Sequence, residues 1–322
     1  MSRRTLRLTL VAIAGVAGLL ALPAGSARAD TAIRIGGEDR IETSVAISQA
    51  SYPVAGSAKA VVLARADDFA DALAGTPLAV FEGGPLLVTG KDRLDVRVSQ
   101  EIRRVLAVNG QVFVLGGASA LSPAILGDVL TLNVNPVRIA GTDRFDTALR
   151  IAELMGPPLR VLLCSGLSFA DALSAGAAAA GTRGIVLLTN HATLPPDVAQ
   201  YMLDHPGAEY FAVGGPAATA APGAIPIVGT DRYDTAVKVA ERLFPNPVLV
   251  GAASGEAFPD GLSGGAMMGK AHGPLLLVNS AGDLVPAVDA YLSANATTIA
   301  TLHAFGGPNA VTDFVIRQMT TA

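Results

Sequence analysis

"AVVLARADDFADALAGTPLAVFEGGPLLVT" runs from Ala60 to Thr89. Ala60–Ala64 and Pro85–Thr89 are short, continuous apolar runs, the form of strands buried on both faces. Phe69–Gly83, between them, carries its apolar residues at helical spacing. Downstream, "LDVRVSQEIRRVLAVNG" (Leu94–Gly110) predicts an amphipathic helix ending at Gly110, and "QVFVL" (Gln111–Leu115) a third strand. "SPAILGDVLTL" (Ser122–Leu132) predicts a helix, with Pro123 at a position that needs no backbone N–H. Apolar strands alternating with helices predict an α/β fold, a parallel sheet covered on both faces through right-handed crossovers.

The pattern is written three times. A decapeptide opens each copy: "GEDRIETSVA" (Gly37–Ala46), "GTDRFDTALR" (Gly141–Arg150) and "GTDRYDTAVK" (Gly229–Lys238). "FADALA" (Phe69–Ala74) returns as "FADALS" (Phe169–Ser174) and "FPDGLS" (Phe258–Ser263). "GPLLVT" (Gly84–Thr89) returns as "GIVLLT" (Gly184–Thr189) and "GPLLLV" (Gly273–Val278), and a Gly-Gly pair closes the third strand at 116–117, 214–215 and 306–307. Four signatures in one order define copies at 32–135, 136–224 and 225–322, three tandem Rossmann-like βα domains without long linkers. The segment after the Gly-Gly pair is short in the second copy, which predicts a stunted last helix there.

Residues 1–29 have the form of a secretory signal peptide. Arg3, Arg4 and Arg7 precede a short apolar run, and Ala27-Arg28-Ala29 fits a cleavage site. Four of the 23 basic residues and no acid lie in that leader, so the remainder carries 19 basic against 27 acidic residues, a formal −8. Such a chain has no global positive field for nucleic acid, so an anionic partner must be held by local donors. No later segment reads as a membrane span. Cys164 is the sole cysteine, which excludes an intramolecular disulfide.

In the decapeptide, Asp39, Asp143 and Asp231 are placed to cap a helix, with Glu42, Asp146 and Asp234 reaching back three residues later. The arginine between them, Arg40, Arg144 or Arg232, is not explained by capping. A cation in the first helical turn opposes the helix dipole, so three of them call for a partner: an internal carboxylate or a bound anion. Asp71, Asp171 and Asp260 are the carboxylate candidates, each following a strand at the sheet edge where open parallel sheets take ligands. Two of them also read as capping boxes, Asp68-x-x-Asp71 and Ser168-x-x-Asp171. The Gly-Gly pairs read as tight turns; without a G-x-G-x-x-G or a P-loop lysine, no nucleotide cofactor is indicated. His191, His205, His272 and His303 fall at non-equivalent places, so no metal site and no catalytic set is expected.

The order G-x-D-R-aromatic-acid-T, F-x-D-A-L, P-L-L-L-T and V-x-x-x-G-G resembles the cell wall binding repeat 2 family over essentially all of residues 32–322. The resemblance implies a triangular block of three Rossmann-like domains about a pseudo-threefold axis. It also implies a non-catalytic, exported Gram-positive module that attaches surface proteins to an anionic cell wall polymer. Arg40, Arg144, Arg232, Asp71, Asp171 and Asp260 are the candidate ligand-binding residues. An envelope enzyme or small-ligand receptor using the strand-end clefts is the other reading. Two departures stand out: Pro226 replaces the Arg34 and Arg138 of the other copies, and the first copy reads "ARADDF" where a Ser-Gly is expected before the phenylalanine.

Overall fold

The computed structural model describes residues 31–321; the signal-peptide reading lies outside them. The first repeat contributes β1 (Thr31–Ile35), α1 (Arg40–Ser51), β2 (Ala58–Arg65), α2 (Gly75–Phe81), β3 (Leu86–Thr89), α3 (Val96–Val105), β4 (Leu106–Leu115) and α4 (Pro123–Leu130). The second contributes β5 (Pro136–Ile139), α5 (Arg144–Met155), β6 (Arg160–Ser165), α6 (Ala170–Gly181), β7 (Gly184–Thr189), α7 (Pro196–Asp204), β8 (Glu209–Val213) and α8 (Gly215–Ala220). The third contributes β9 (Ile225–Ile227), α9 (Arg232–Leu243), β10 (Leu249–Ser254), α10 (Pro259–Lys270), β11 (Leu275–Val278), α11 (Pro286–Ala294), β12 (Thr301–Phe305) and α12 (Asp313–Thr320).

These strands form three sheets of four parallel strands, ordered β3-β2-β4-β5, β7-β6-β8-β9 and β11-β10-β12-β1. No sheet is made by one repeat alone. The opening strand of each repeat completes the sheet of the repeat before it, because the chain leaving a helix returns to the sheet that helix covers. In the third repeat this place is taken by a strand remote in sequence: β1 pairs with β12, from Thr31 opposite Thr301 to Ile35 opposite Phe305. The three units therefore close into a ring.

Four apolar cores follow. The largest lies on the inner faces of all three sheets and is built on α2, α6 and α10, while each outer face has its own core under the peripheral helices. The inner helices are rich in alanine and glycine because they meet at close range. Thr76 Oγ1 donates to the Leu262 carbonyl at 3.3 Å, and Gly176 lies against Thr76. A side chain added at Gly269 would run into Ala180. Cys164 sits fully buried in β6, where burial pushes its thiol well above the usual range, so it acts as a small core residue.

The structure differs from sequence expectation in three places. The third helix ends at Val105 and not at Gly110; Leu106 turns extended, and the register against β2 shifts between Ala58 and Ala60. The helix expected from Phe69 begins only at Gly75, whereas α6 and α10 start at Ala170 and Pro259 and run 12 residues each. In the loop before this helix Arg65, where the other repeats have Ser165 and Ser254, donates to Asp67 at 2.5 Å. Finally, the Asp68 and Ser168 capping boxes are not made: α2 and α6 have Ala74 and Phe169 at their N-caps, with no side-chain cap bond. The stunted helix of the second repeat is present as α8, six residues long.

Candidate functional site

The decapeptides form the helix starts their sequence dictates. Asp39 accepts from the Glu42 N–H, and Asp143 and Asp231 each accept from two backbone N–H groups of their first turns. In return Glu42, Asp146 and Asp234 accept, at 2.8 Å each, from the backbone N–H of the residue before the cap. Each helix start is thereby held rigid, and its first residue is the arginine.

Each arginine donates one guanidinium N–H to a main-chain carbonyl just beyond the second strand of its own repeat. Arg40 reaches Ala66 at 2.9 Å, Arg144 reaches Gly166 at 2.6 Å and Arg232 reaches Gly255 at 2.6 Å. The anchor is a carbonyl and not the carboxylate that sequence reasoning offered. Among the described residues Asp71, Asp171 and Asp260 form no ion pair with them. The guanidinium has five N–H donors, so this one contact leaves most of its capacity unused by the protein.

The arginines also cross the seams between repeats. Arg144 lies over the ring of Phe69 at 5.7 Å and Arg232 over Phe169 at 5.8 Å, so the arginine of one repeat caps the phenylalanine of the repeat before it. The three phenylalanines meet at the axis: Phe69–Phe169 at 5.7 Å, Phe69–Phe258 at 5.6 Å and Phe169–Phe258 at 6.0 Å between ring centres. This half-buried triangle was not singled out from sequence, although "FADAL" and "FPDGL" held its signal: one aromatic at the same place in all three copies.

The aspartates follow the same cyclic sense. Burial pushes the Asp171 carboxyl up to about 6, against the pull of Arg232 from the next repeat. Burial likewise pushes Asp260 up to about 6, against Arg40, its successor around the ring. The Oδ1 of Asp260 is buried without a hydrogen-bond partner. Each aspartate is covered by the first glycine of a Gly-Gly pair. Gly116, Gly214 and Gly306 have φ of 87°, 86° and 111°, and a Cβ on any of them would strike Asp71, Asp171 or Asp260. The tight-turn reading holds for the first and third pairs, whereas Gly214 is the N-cap of α8; in all three the first glycine closes over the carboxylate.

The Pro226 departure also has its explanation. Arg34 and Arg138 each donate to the carbonyl of a turn glycine, Gly306 at 3.0 Å and Gly116 at 2.5 Å. Pro226 cannot do this, and in the second repeat, whose sheet its strand completes, the helix starts directly on Gly215 without the intervening turn. The described residues contain no group of His, Cys, Asp and Glu fit to hold a metal ion, and no helix long and apolar enough to cross a membrane.

Three parallel-sheet units closed into a ring, with a cationic side chain and a covered carboxyl at each seam around an aromatic axis, define a three-repeat α/β module. The chain belongs to the cell wall binding domain 2 (CWB2) family, which matches residues 34–126, 138–221 and 227–316. It is 29% identical over 261 residues to the N-acetylmuramoyl-L-alanine amidase LytC of Bacillus subtilis, covering 79% of this chain and 52% of the amidase. It is 26% identical over 272 residues to the amidase enhancer of the same organism, covering 83% of this chain and 37% of that protein. The fold is that of Cwp6 and Cwp8 from Clostridium difficile. Each superposes with a TM-score of 0.80 at 23% identity, over 91% and 89% of this chain and 48% and 51% of theirs. The chain thus spans about half the length, or less, of the relatives it matches.

Proposed function

We propose that this chain is a non-catalytic, exported attachment module, held at the bacterial surface by an anionic cell wall polymer that Arg40, Arg144 and Arg232 engage, with Asp71, Asp171 and Asp260 beside them. The observation that carries this reading is the repetition of one unspent cation at three equivalent seams, on a chain whose family is wall-binding. A chain with a net charge of −4 attracts anions only through such local donors. Three sites around one axis let successive anionic units of a polymer be held together, which multiplies weak single contacts. The shared half of the amidase is, on this reading, its attachment region, and any hydrolysis belongs to the remainder of that protein.

The test is sedimentation of the protein with purified cell walls, before and after acid extraction of anionic polymers. Extraction should abolish binding, and Arg40→Gln, Arg144→Gln and Arg232→Gln together should weaken it about tenfold or more in a folded protein, since about 1.4 kcal/mol in total is enough for that. Undiminished binding by a folded triple variant would contradict the role given to the arginines. Release of soluble muropeptide by the purified chain would contradict the non-catalytic reading.

A further inference from the structure

The three repeats depart from one another between their first and third helices, and the departures converge on one place. In the second and third repeats a buried tyrosine of the third helix, Tyr201 or Tyr291, fills the space against the first helix beside Ala152 or Ala240. The first repeat has Glu101 and Ser48 at those positions. It also has Ala46 where the others carry Arg150 and Lys238, which pair along their helices with Asp146 and Asp234 at 3.1 Å each. Two of the three replacements, Glu101 for tyrosine and Ala46 for a long cation, shorten a side chain at the same opening, and the third places the Ser48 hydroxyl on Glu101. The result is a cleft of about 300 Å³ between α1 and α3, lined by Ala46, Gln49, Arg97, Gln100, Glu101 and Arg104.

The arginines and the buried carboxylate of this cleft are already paired, while Glu42 at its rim accepts from the Glu38 N–H at 2.8 Å and forms no ion pair among the described residues. Glu101, 2% exposed, accepts from Ser48 at 2.5 Å and from Arg104 at 2.6 and 2.7 Å. Arg97 is held by Asp95 and by Asp39, each at 2.9 Å. An anion would meet the Glu42 carboxylate and no unpaired cation here, and a cation would face two arginines besides Glu42. The amides of Gln49 and Gln100, which both donate and accept, stand at the mouth beside the apolar Val45 and Ala46; Gln49 donates one N–H to Glu101 at 3.4 Å and keeps its carbonyl and second N–H for a ligand. We propose that the cleft of the first repeat binds a single neutral sugar unit, whose hydroxyls both donate and accept and whose C–H face can lie on Val45 and Ala46. The cleft is at the small end of the range for ligand sites, which suits a monosaccharide and not a longer chain. The site is distinct from the axial arginines and does not rest on their role.

The other repeats supply the test variants. Ala46→Lys copies the third repeat and can pair with Glu42, closing the mouth without touching the buried network. Ser48→Ala with Glu101→Tyr copies both other repeats and fills the floor. The readout is the side-chain amide resonances of Gln49 and Gln100 during titration with N-acetylglucosamine or glucose, with glucuronic acid and glucosamine as charged controls. Saturable shifts are expected with a neutral sugar, and binding at least tenfold weaker in Ala46→Lys and in any folded Ser48→Ala/Glu101→Tyr protein. The triple arginine variant, which speaks to wall attachment, should bind the sugar as the parent does. No saturable shift with either neutral sugar, shifts unchanged in Ala46→Lys, or tighter binding of a charged sugar would overturn the proposal. If Ser48→Ala/Glu101→Tyr does not fold, Ala46→Lys decides alone.

Discussion

Asp171 and Asp260 are carboxyls that the fold makes reluctant to ionise. Their folded values lie above those of an unfolded chain, so ionisation at neutral pH opposes folding. That cost disappears as pH falls through about 6 towards 4. Asp171→Asn should therefore raise the thermal midpoint at pH 7.5, by the equivalent of about 1 kcal/mol once solvent access is allowed for, and change little at pH 4. Thermal melts at the two pH values check this; a variant equally destabilised at both would show the carboxylate to be structural. The same titration bears on the ligand. Protonating Asp171 and Asp260 removes a negative charge beside Arg232 and Arg40, so affinity for a wall polymer of constant charge should rise between pH 7.5 and pH 5.5. Wall sedimentation across that interval, at fixed salt, reads the direction.

At the scale of the element, glycine has opposite meanings in two helices. Gly127 on α4 is exposed and meets nothing where a Cβ would stand, so Gly127→Ala should stabilise by roughly 0.5–1 kcal/mol through helix propensity. Gly269 on α10 faces Ala180 on α6 too closely for any side chain, so Gly269→Ala should cost about 1–3 kcal/mol by forcing the inner helices apart. Denaturant midpoints of the two variants should move in opposite directions. Much of this level was legible in the sequence: alternating apolar runs and helices, caps at Asp39, Asp143 and Asp231, and the shortened α8 all follow from local rules. The helix ending at Val105 was not, because Leu106–Gly110 keeps apolar residues that suit either state. Nor was the anchor of the arginines, since a main-chain carbonyl is the same at every residue and leaves no mark in a sequence. The aspartates could be named as neighbours of the arginines, but their covering by the turn glycines needed coordinates.

At the scale of the whole molecule, closure governs the rest. The seams that hold the arginines, the axial phenylalanines and the inner core are each shared by more than one repeat, so no repeat carries a finished site or a finished sheet. Two of the three opening strands, β5 and β9, follow the last helix of the repeat before and complete its sheet, which leaves the third sheet to β1. Removing residues 31–36 should strip β12 of its neighbour while leaving β4 covered by β5. Hydrogen exchange of the truncated protein is the most direct measure. The backbone amides of Leu302–Phe305 in the third repeat, remote in sequence, should lose protection while those of Phe113–Leu115 in the first keep theirs. Loosening confined to the first repeat, with β12 still protected, would contradict a closed ring.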